Sequence, residues 1–501
     1  MTPPTDRRAF LWAAAATAGA TLLPEAAEAQ QPKGPRGGPY VLPTDLAAFN
    51  AVSVILGRAG DTDVTASLVA RERTEAYLEY GTEPGRYGTK SRTVTLAATE
   101  PVELAVTELR PGTAYHYRLH TRKSGEGAFA ARAEARFHTR RPPGQRFTFC
   151  VQGDSHPERA QMSEPNLYAR TIRRAAADNP DLYVCMGDDF SVDTVRTVSP
   201  ETLTAPYLLQ RPFLGLVAQS ASLYLVNGNH EQASRFNFNQ TDERKRVAVG
   251  VQTARNKYYP MPAPGGIYTG DAAELDGIGK LRDYFAWTWG DALFVVLDNY
   301  WHSPALVDNG FHGGGGKKDD DKKNRDLWGV TIGDEQYRWF KRTLETSTAQ
   351  YKFVFAHHVM GTGRGGVEAS ELFEWGGGTR GKGGNDEFRR RRPRWELPIH
   401  QLMAWHKVSA FFQGHDHLYC RQERDGVVYQ EVPLPADHGY STYNAAAYTS
   451  GIKHANAGYL RVTVGPDEAA VEYVRCYLPK DETATQRTGD VAHRYTIRPR
   501  T

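Results

Sequence analysis

The chain divides by the rhythm of its apolar residues. Between residues 44 and 140, short runs alternate apolar and polar positions: AVSVILGR, TASLVARE, EAYLEYGT, SRTVTLAA, VELAVTEL, AYHYRLHTR and ARFHT. A period of two gives an extended strand one face for a core and one for water. Turn signals at Pro84-Gly85 and Pro111-Gly112 separate several of these runs. Strands this short, at this spacing, predict an all-β sandwich of about 100 residues.

After Arg140-Arg141-Pro142-Pro143-Gly144, which reads as a hinge, the rhythm changes. RFTFCVQGD, DLYVCMGDD, ASLYLVNGNH, DALFVVLDN, YKFVFAHH and SAFFQGHDH are continuous apolar runs that stop abruptly at polar or ionisable residues. YARTIRRAAADNP, ended by Asn179-Pro180, and EQYRWFKRTLETS carry helical spacing between them. Buried strands alternating with helices predict an α/β (α+β layered) domain over 146–480, with the polar strand ends gathered along one rim. YLRVTVGPDEAAVEYVRCYL reads as a hairpin of that sheet or its partner, and 481–501 as a C-terminal tail. The stretches 310–326 and 376–394 are Gly-rich and charged, as loops are. Arg389, Arg390, Arg391, Arg392 and Arg394 in the second either gather an anionic substrate or form a solvated face.

The N-terminus reads as an address. Arg7-Arg8 precedes Phe10-Leu11 and an Ala-rich apolar stretch, and Ala27-Glu28-Ala29 supplies a small-x-small cleavage signal ahead of Gln30. The pair of arginines resembles the twin-arginine export signal of bacteria, which implies the export machinery as a partner in transit and a periplasmic or secreted product. Residues 1–29 are the expected leader and 30–43 a Pro/Gly linker; the alternative is an uncleaved anchor. No membrane span is expected once the leader is removed.

Composition narrows the rest. Hydrophobic residues make up 40% of the 501 and charged residues 24%, an ordinary globular balance. The net charge of +3 makes no case for nucleic-acid binding. The four cysteines cannot form a disulfide framework. Cys150 and Cys185 read as small buried hydrophobes on neighbouring parallel strands, which rarely offer disulfide geometry.

Read in order, the ends of the apolar runs are Gly153-Asp154-Ser155-His156, Gly187-Asp188-Asp189, Gly228-Asn229-His230-Glu231, His357-His358 and Gly414-His415-Asp416-His417. The ordered set GDxH, GD, GNH(D/E), H, GHxH resembles the signature of the calcineurin-like metallophosphoesterases. The chemistry suits the pattern on its own terms. Two ions held close together need oxygen and nitrogen donors on a rigid rim, and one carboxylate must span both. Histidine favours Fe, Mn or Zn over Ca.

The resemblance implies two metal ions, of Fe, Mn or Zn. One would be bound by Asp154, His156, Asp188 and His417, the other by Asp188 as bridge with Asn229, His357 and His415. It implies a metal-bound hydroxide as nucleophile, with His230 as proton donor or transition-state stabiliser at the leaving group. Related sequences often show His-x-Pro at the fourth motif, and this favours His357 over His358 as ligand although Val359 replaces the proline. His358, Glu231 and Arg364 are candidates for supporting or substrate-contacting roles. Elsewhere, His116, His120 and His138 fall in the sandwich, where packing is the default.

The segment TELRPGTAYHYRLHT is similar to the penultimate region of a fibronectin type III domain, and such a domain ahead of the catalytic one resembles the purple acid phosphatases. Two departures stand out: Ser191 occupies the position of their metal-binding tyrosine, and they lack the histidine found here at His156. The expected activity is hydrolysis of small-molecule phosphomonoesters. Phosphodiester hydrolysis on nucleotide or glycerol-type diesters is the alternative, and a non-catalytic surface or glycan-binding protein with a vestigial metal site is the reading from another class.

Overall fold

The computed structural model of the chain describes residues 46, 51–192, 198–232, 242–304, 326–359, 364–378 and 385–500. The expected leader and linker lie outside the described residues, as do parts of both Gly-rich stretches.

All seven N-terminal runs form strands. Val52–Gly57, Val64–Ala70 and Pro101–Val106 make a three-stranded antiparallel sheet. Thr74–Gly81, Val94–Leu96, Ala114–Lys123 and Ala135–His138 make the second sheet with two very short strands. Thr74–Gly81 alternates buried and half-buried residues, as a one-faced strand must. Val52–Gly57 and Val64–Ala70 are buried on both faces. Ile55 and Val69 on their outer side pack into the same cluster as Phe213 and Val217 of the helix Pro200–Ala218, so the sandwich leans on the catalytic domain.

The six catalytic runs also form strands, divided between two sheets. In the first, the order is Ser222–Leu225, Leu182–Cys185, Phe147–Gln152, Gly458–Val464, Ala469–Arg475 and Val491–Ile497, the first three parallel. In the second, Ala292–Val296, Tyr351–Phe355, Ala410–Gln413 and Val427–Glu431 run parallel, with antiparallel strands at both margins. The sheets face each other through aromatic side chains: the Phe149 ring lies 5.1 Å from Phe294 and 5.3 Å from Phe353. Helices cover the outer faces. Pro165–Ala177 and Pro200–Ala218 pack on the first sheet, and Asp334–Thr346 and Ile399–Trp405 on the second. This is the layered α/β architecture expected, and it places the C-terminal ends of the parallel strands along a common rim.

Two details differ from the sequence reading, and the cysteines agree with it. Residues 491–497 are an edge strand paired in register with Ala469–Arg475, so the closing segment is more than a tail. Ala492, Tyr495 and Ile497 turn toward the core, but the spacing departs from two at a bulge near Tyr473, which hid the strand from the pattern. The expected hinge is riveted: Arg140 forks onto Asp61 at 2.7 and 2.9 Å, Arg141 pairs with Asp181, and the Gly144 N–H donates to Asp291. All four cysteines are free and buried; Cys150 stands opposite Tyr183 and Cys185 opposite Gln152, out of step for a bond. Among the described residues no helix is long and apolar enough to cross a membrane.

Candidate active site

Each of the five motifs sits just beyond a strand end, where the backbone must turn without a regular ladder to hold it. Asp154 and His156 follow Phe147–Gln152, Asp188 follows Leu182–Cys185, and Asn229 follows Ser222–Leu225. His357 follows Tyr351–Phe355, and His415 and His417 follow Ala410–Gln413. The turns are tight. At Gly187 (φ +97°) a Cβ would lie 2.6 Å from the Gly228 nitrogen, and at Gly228 one would lie 2.2 Å from the Asp188 carboxylate. The glycines let two motif loops touch.

The seven predicted ligands converge. Asp154, His156 and His417 form one group whose donor atoms lie within 4.8 Å of one another, and Asp188, His357 and His415 form another. Asp188 also groups with His156 and His230, which places it in the middle. His417 Nε2 is 3.0 Å from Asp154 Oδ2, and the Nε2 atoms of His156 and His417 face each other at 3.3 Å. His357 Nε2 is 3.2 Å from Asp188 Oδ2 and 3.0 Å from Asn229 Oδ1. All seven residues are buried.

The surroundings set which nitrogen faces inward. His357 Nδ1 is 2.8 Å from the Met186 carbonyl, and His156 Nδ1 is 3.2 Å from Glu158 Oε1. A proton held at Nδ1 by an acceptor directs Nε2 into the cluster, where a bound cation would take the place of any proton there. His415 Nε2 and Asn229 Nδ2 are buried without a hydrogen-bond partner. Burial, helped by Arg159, lowers the His156 pKa to about 4. At His357 burial acts the same way but Asp188 and Asp154 overcome it, lifting the pKa to about 10. Asp188 is held well below the usual carboxylate range, because His357, His230 and His156 outweigh its burial. The centre thus carries concentrated negative charge faced by imidazole nitrogens, an arrangement suited to cations.

The supporting candidates take different places. Glu231 is buried, not a surface carboxylate, and accepts the backbone N–H groups of Gly228, Asp188, Asp189 and Phe190 at 2.7 to 3.1 Å. It orders the turn that bears Asp188. His358 packs its ring 4.5 Å from that of His415, and its carbonyl accepts from Asn299. Arg364 donates to the His415 carbonyl and to Asp416 Oδ1. His230 Nε2 lies 3.8 Å from Asp188 Oδ2.

Sequence reasoning missed two neighbours of the first motif. Glu158 receives the Ser191 hydroxyl at 2.5 Å as well as facing His156, and its pKa falls to about 2 because His156, Arg159 and Ser191 outweigh the effect of burial. Ser191, at the tyrosine position of the purple phosphatases, therefore reaches the centre through Glu158. Arg159 lays its guanidinium against His230, with Nη2 2.9 Å from Nε2. The only available signal was their position immediately after Gly153-Asp154-Ser155-His156.

Comparison with known proteins places the whole arrangement. The model of the calcineurin-like phosphoesterase family matches residues 147–419. No curated protein matches the chain. Among solved structures, PhoD aligns with a TM-score of 0.60 at 15% identity, over 89% of this chain and 90% of its own. Purple acid phosphatase PPD1 from seeds of yellow lupin (Lupinus luteus) aligns with a TM-score of 0.56 at 16% identity, over 90% and 74%. At those identities the likeness is one of fold, and it extends through the N-terminal antiparallel sheets. The family match runs from the first catalytic strand through the last histidine motif and takes in more than half of the chain. The protein therefore belongs to the calcineurin-like phosphoesterases and is a metal-dependent phosphoric ester hydrolase.

Proposed function

We propose that the chain is an exported phosphomonoesterase working with two metal ions of Fe, Mn or Zn. Asp154, His156, Asp188 and His417 would hold one ion, and Asp188, Asn229, His357 and His415 the other. The donor set fits such ions: carboxylate, amide and imidazole groups, with the buried Nε2 of His415 lacking any protein partner. When bound, paired ions acidify a water and neutralise charge on phosphoryl oxygens. The chain's own residues do the rest. Glu158 and the Met186 carbonyl fix the imidazoles, Glu231 holds the Asp188 turn, and His230 delivers a proton to the leaving oxygen.

The observation that carries this reading is the convergence of seven side chains, Asp188 among them, from five separate loops. The metal-loaded protein is expected to hydrolyse nitrophenyl phosphate, to lose activity to a chelator and to regain it with added metal. His230→Ala should lower kcat by about 10²- to 10⁴-fold with metal content unchanged. If Asn229→Ala and His230→Ala both leave the chain's main measurable activity untouched, catalysis is not its role and the binding-module reading takes its place. Export rests on Arg7-Arg8 and the cleavage signal before Gln30; sequencing the N-terminus of protein recovered outside the cytoplasm tests it.

A further inference from the structure

A phosphate monoester and a diester differ at one oxygen. Both present two non-bridging oxygens, which a pair of ions can take. The monoester dianion has a third terminal oxygen, bearing charge, where the diester carries a second alkyl or aryl group. A site that prefers monoesters needs a donor for that third oxygen, and a donor there gains nothing from an esterified one. Arginine suits the task, because its planar fork makes charge-assisted bonds to phosphate oxygens.

Two arginines reach the centre among the described residues. Arg364 is turned toward the last histidine motif, its Nη1 donating to the His415 carbonyl and to Asp416 Oδ1. Arg159 is different. Its backbone is fixed by two turns, with its N–H on the His156 carbonyl at 2.9 Å and its carbonyl accepting from Ser163 at 2.8 Å. Its Nε meets Glu158 at 3.1 Å, and its Nη2 lies along the nitrogen-bearing edge of His230, 2.9 Å from Nε2 and 3.2 Å from Nδ1. The side chain is 11% exposed. A cation is thus positioned beside the group assigned to the leaving oxygen.

We infer that Arg159 binds the third terminal oxygen of a phosphomonoester dianion and so sets the preference for monoesters over diesters. This rests on the phosphomonoesterase reading above. Glu158 anchors the guanidinium from behind, and in the complex Nη2 shares its donors between His230 and the phosphoryl group.

The test compares metal-loaded wild type, Arg159→Ala and Arg159→Lys on nitrophenyl phosphate and bis-nitrophenyl phosphate, with metal content and thermal unfolding measured alongside. Loss of a hydrogen bond to a charged group predicts a fall of about 10- to 100-fold in kcat/KM on the monoester for Arg159→Ala. The diester rate should fall by a smaller factor, so that the monoester-to-diester ratio of kcat/KM drops about tenfold, the scale of one charge-assisted bond. Arg159→Lys keeps the charge without the fork, and should recover part of the monoester rate. Calorimetry with inorganic phosphate supplies a readout apart from turnover: Arg159→Ala should bind it about tenfold more weakly, the scale of one charge-assisted bond. Equal losses on both esters, or unchanged phosphate affinity, overturn the inference and leave Arg159 as a prop for His230. Should Arg159→Ala fail to fold, the Lys variant carries the same comparison. A wild type that binds phosphate yet cleaves neither ester defeats the phosphomonoesterase reading instead, and the phosphate titration still decides whether Arg159 binds the anion.

Discussion

His156, Asp188, His415 and His417 all sit at positive φ, at 40°, 58°, 73° and 59°. For side chains other than glycine this region costs about 1 kcal/mol or more each, and such residues cluster where function fixes the backbone. The left-handed kink is what lets neighbouring positions aim at one point instead of alternating across a strand. Single side chains then finish the aim. Glu158, held by Ser191 and facing His156, is expected to govern metal retention: Glu158→Ala should weaken metal binding by about 10- to 100-fold, as measured by metal content after dialysis against graded chelator. Away from the centre, His400 is buried with Nδ1 2.9 Å from the Tyr429 hydroxyl and Nε2 2.8 Å from Asp425. Burial lowers its pKa from 6.5 even though Asp425 opposes the shift. A histidine depressed in the folded state supports stability above its unfolded pKa and loses that support as pH falls. The stability gap between wild type and His400→Gln should therefore narrow from pH 7.5 to pH 5 in denaturant titrations.

At the level of strands and turns, the working parts are the loops between the sheets' polar ends, and they are braced by groups that leave little trace in sequence. Each motif was legible because an apolar run broke off at Asp154, Asp188, Asn229, His357 or His415, and the six runs became the six central strands. Glu231 was not legible as a brace, since its four partners are backbone N–H groups and carry no residue signature. The same holds for Glu431, which accepts the Asp416 N–H at 3.0 Å and Gln413 Nε2 at 2.9 Å beneath the last motif. Contact between the Asp188 and Asn229 loops makes Gly228 intolerant of any side chain. Gly228→Ala should force the turn apart, destabilise the protein by about 1–3 kcal/mol and deplete bound metal, read by calorimetry and metal analysis.

Across the whole molecule, one apolar core runs from Leu68, Leu78 and Leu119 of the sandwich through Phe149 to Phe294 and Phe412 between the catalytic sheets. Rhythm marks where the chain passes from alternating to continuous apolar runs, but continuity of this kind depends on which faces meet, and rhythm does not record that. Arg211 is the clearest case. It lies in the helix Pro200–Ala218, fully buried, and donates to the Ser53 hydroxyl at 2.8 Å, the Ser67 carbonyl at 2.8 Å and the Tyr258 carbonyl. Burial pulls its pKa down to about 10 with no carboxylate among these partners. Arg211→Ala should cost about 3 kcal/mol, since buried acceptors on both domains lose their donor. A single shifted unfolding transition would mark the two domains as one cooperative unit.

The first catalytic sheet joins distant stretches of chain. Phe147–Gln152 lies between Leu182–Cys185 and Gly458–Val464, and Thr148 meets Thr463 across 315 positions. During synthesis the strand leading to Asp154 must therefore wait, one edge bare, until nearly the whole domain has been translated. Bare edges invite pairing with other chains, so the nascent protein has reason to engage chaperones, and fragments ending ahead of Gly458 should aggregate.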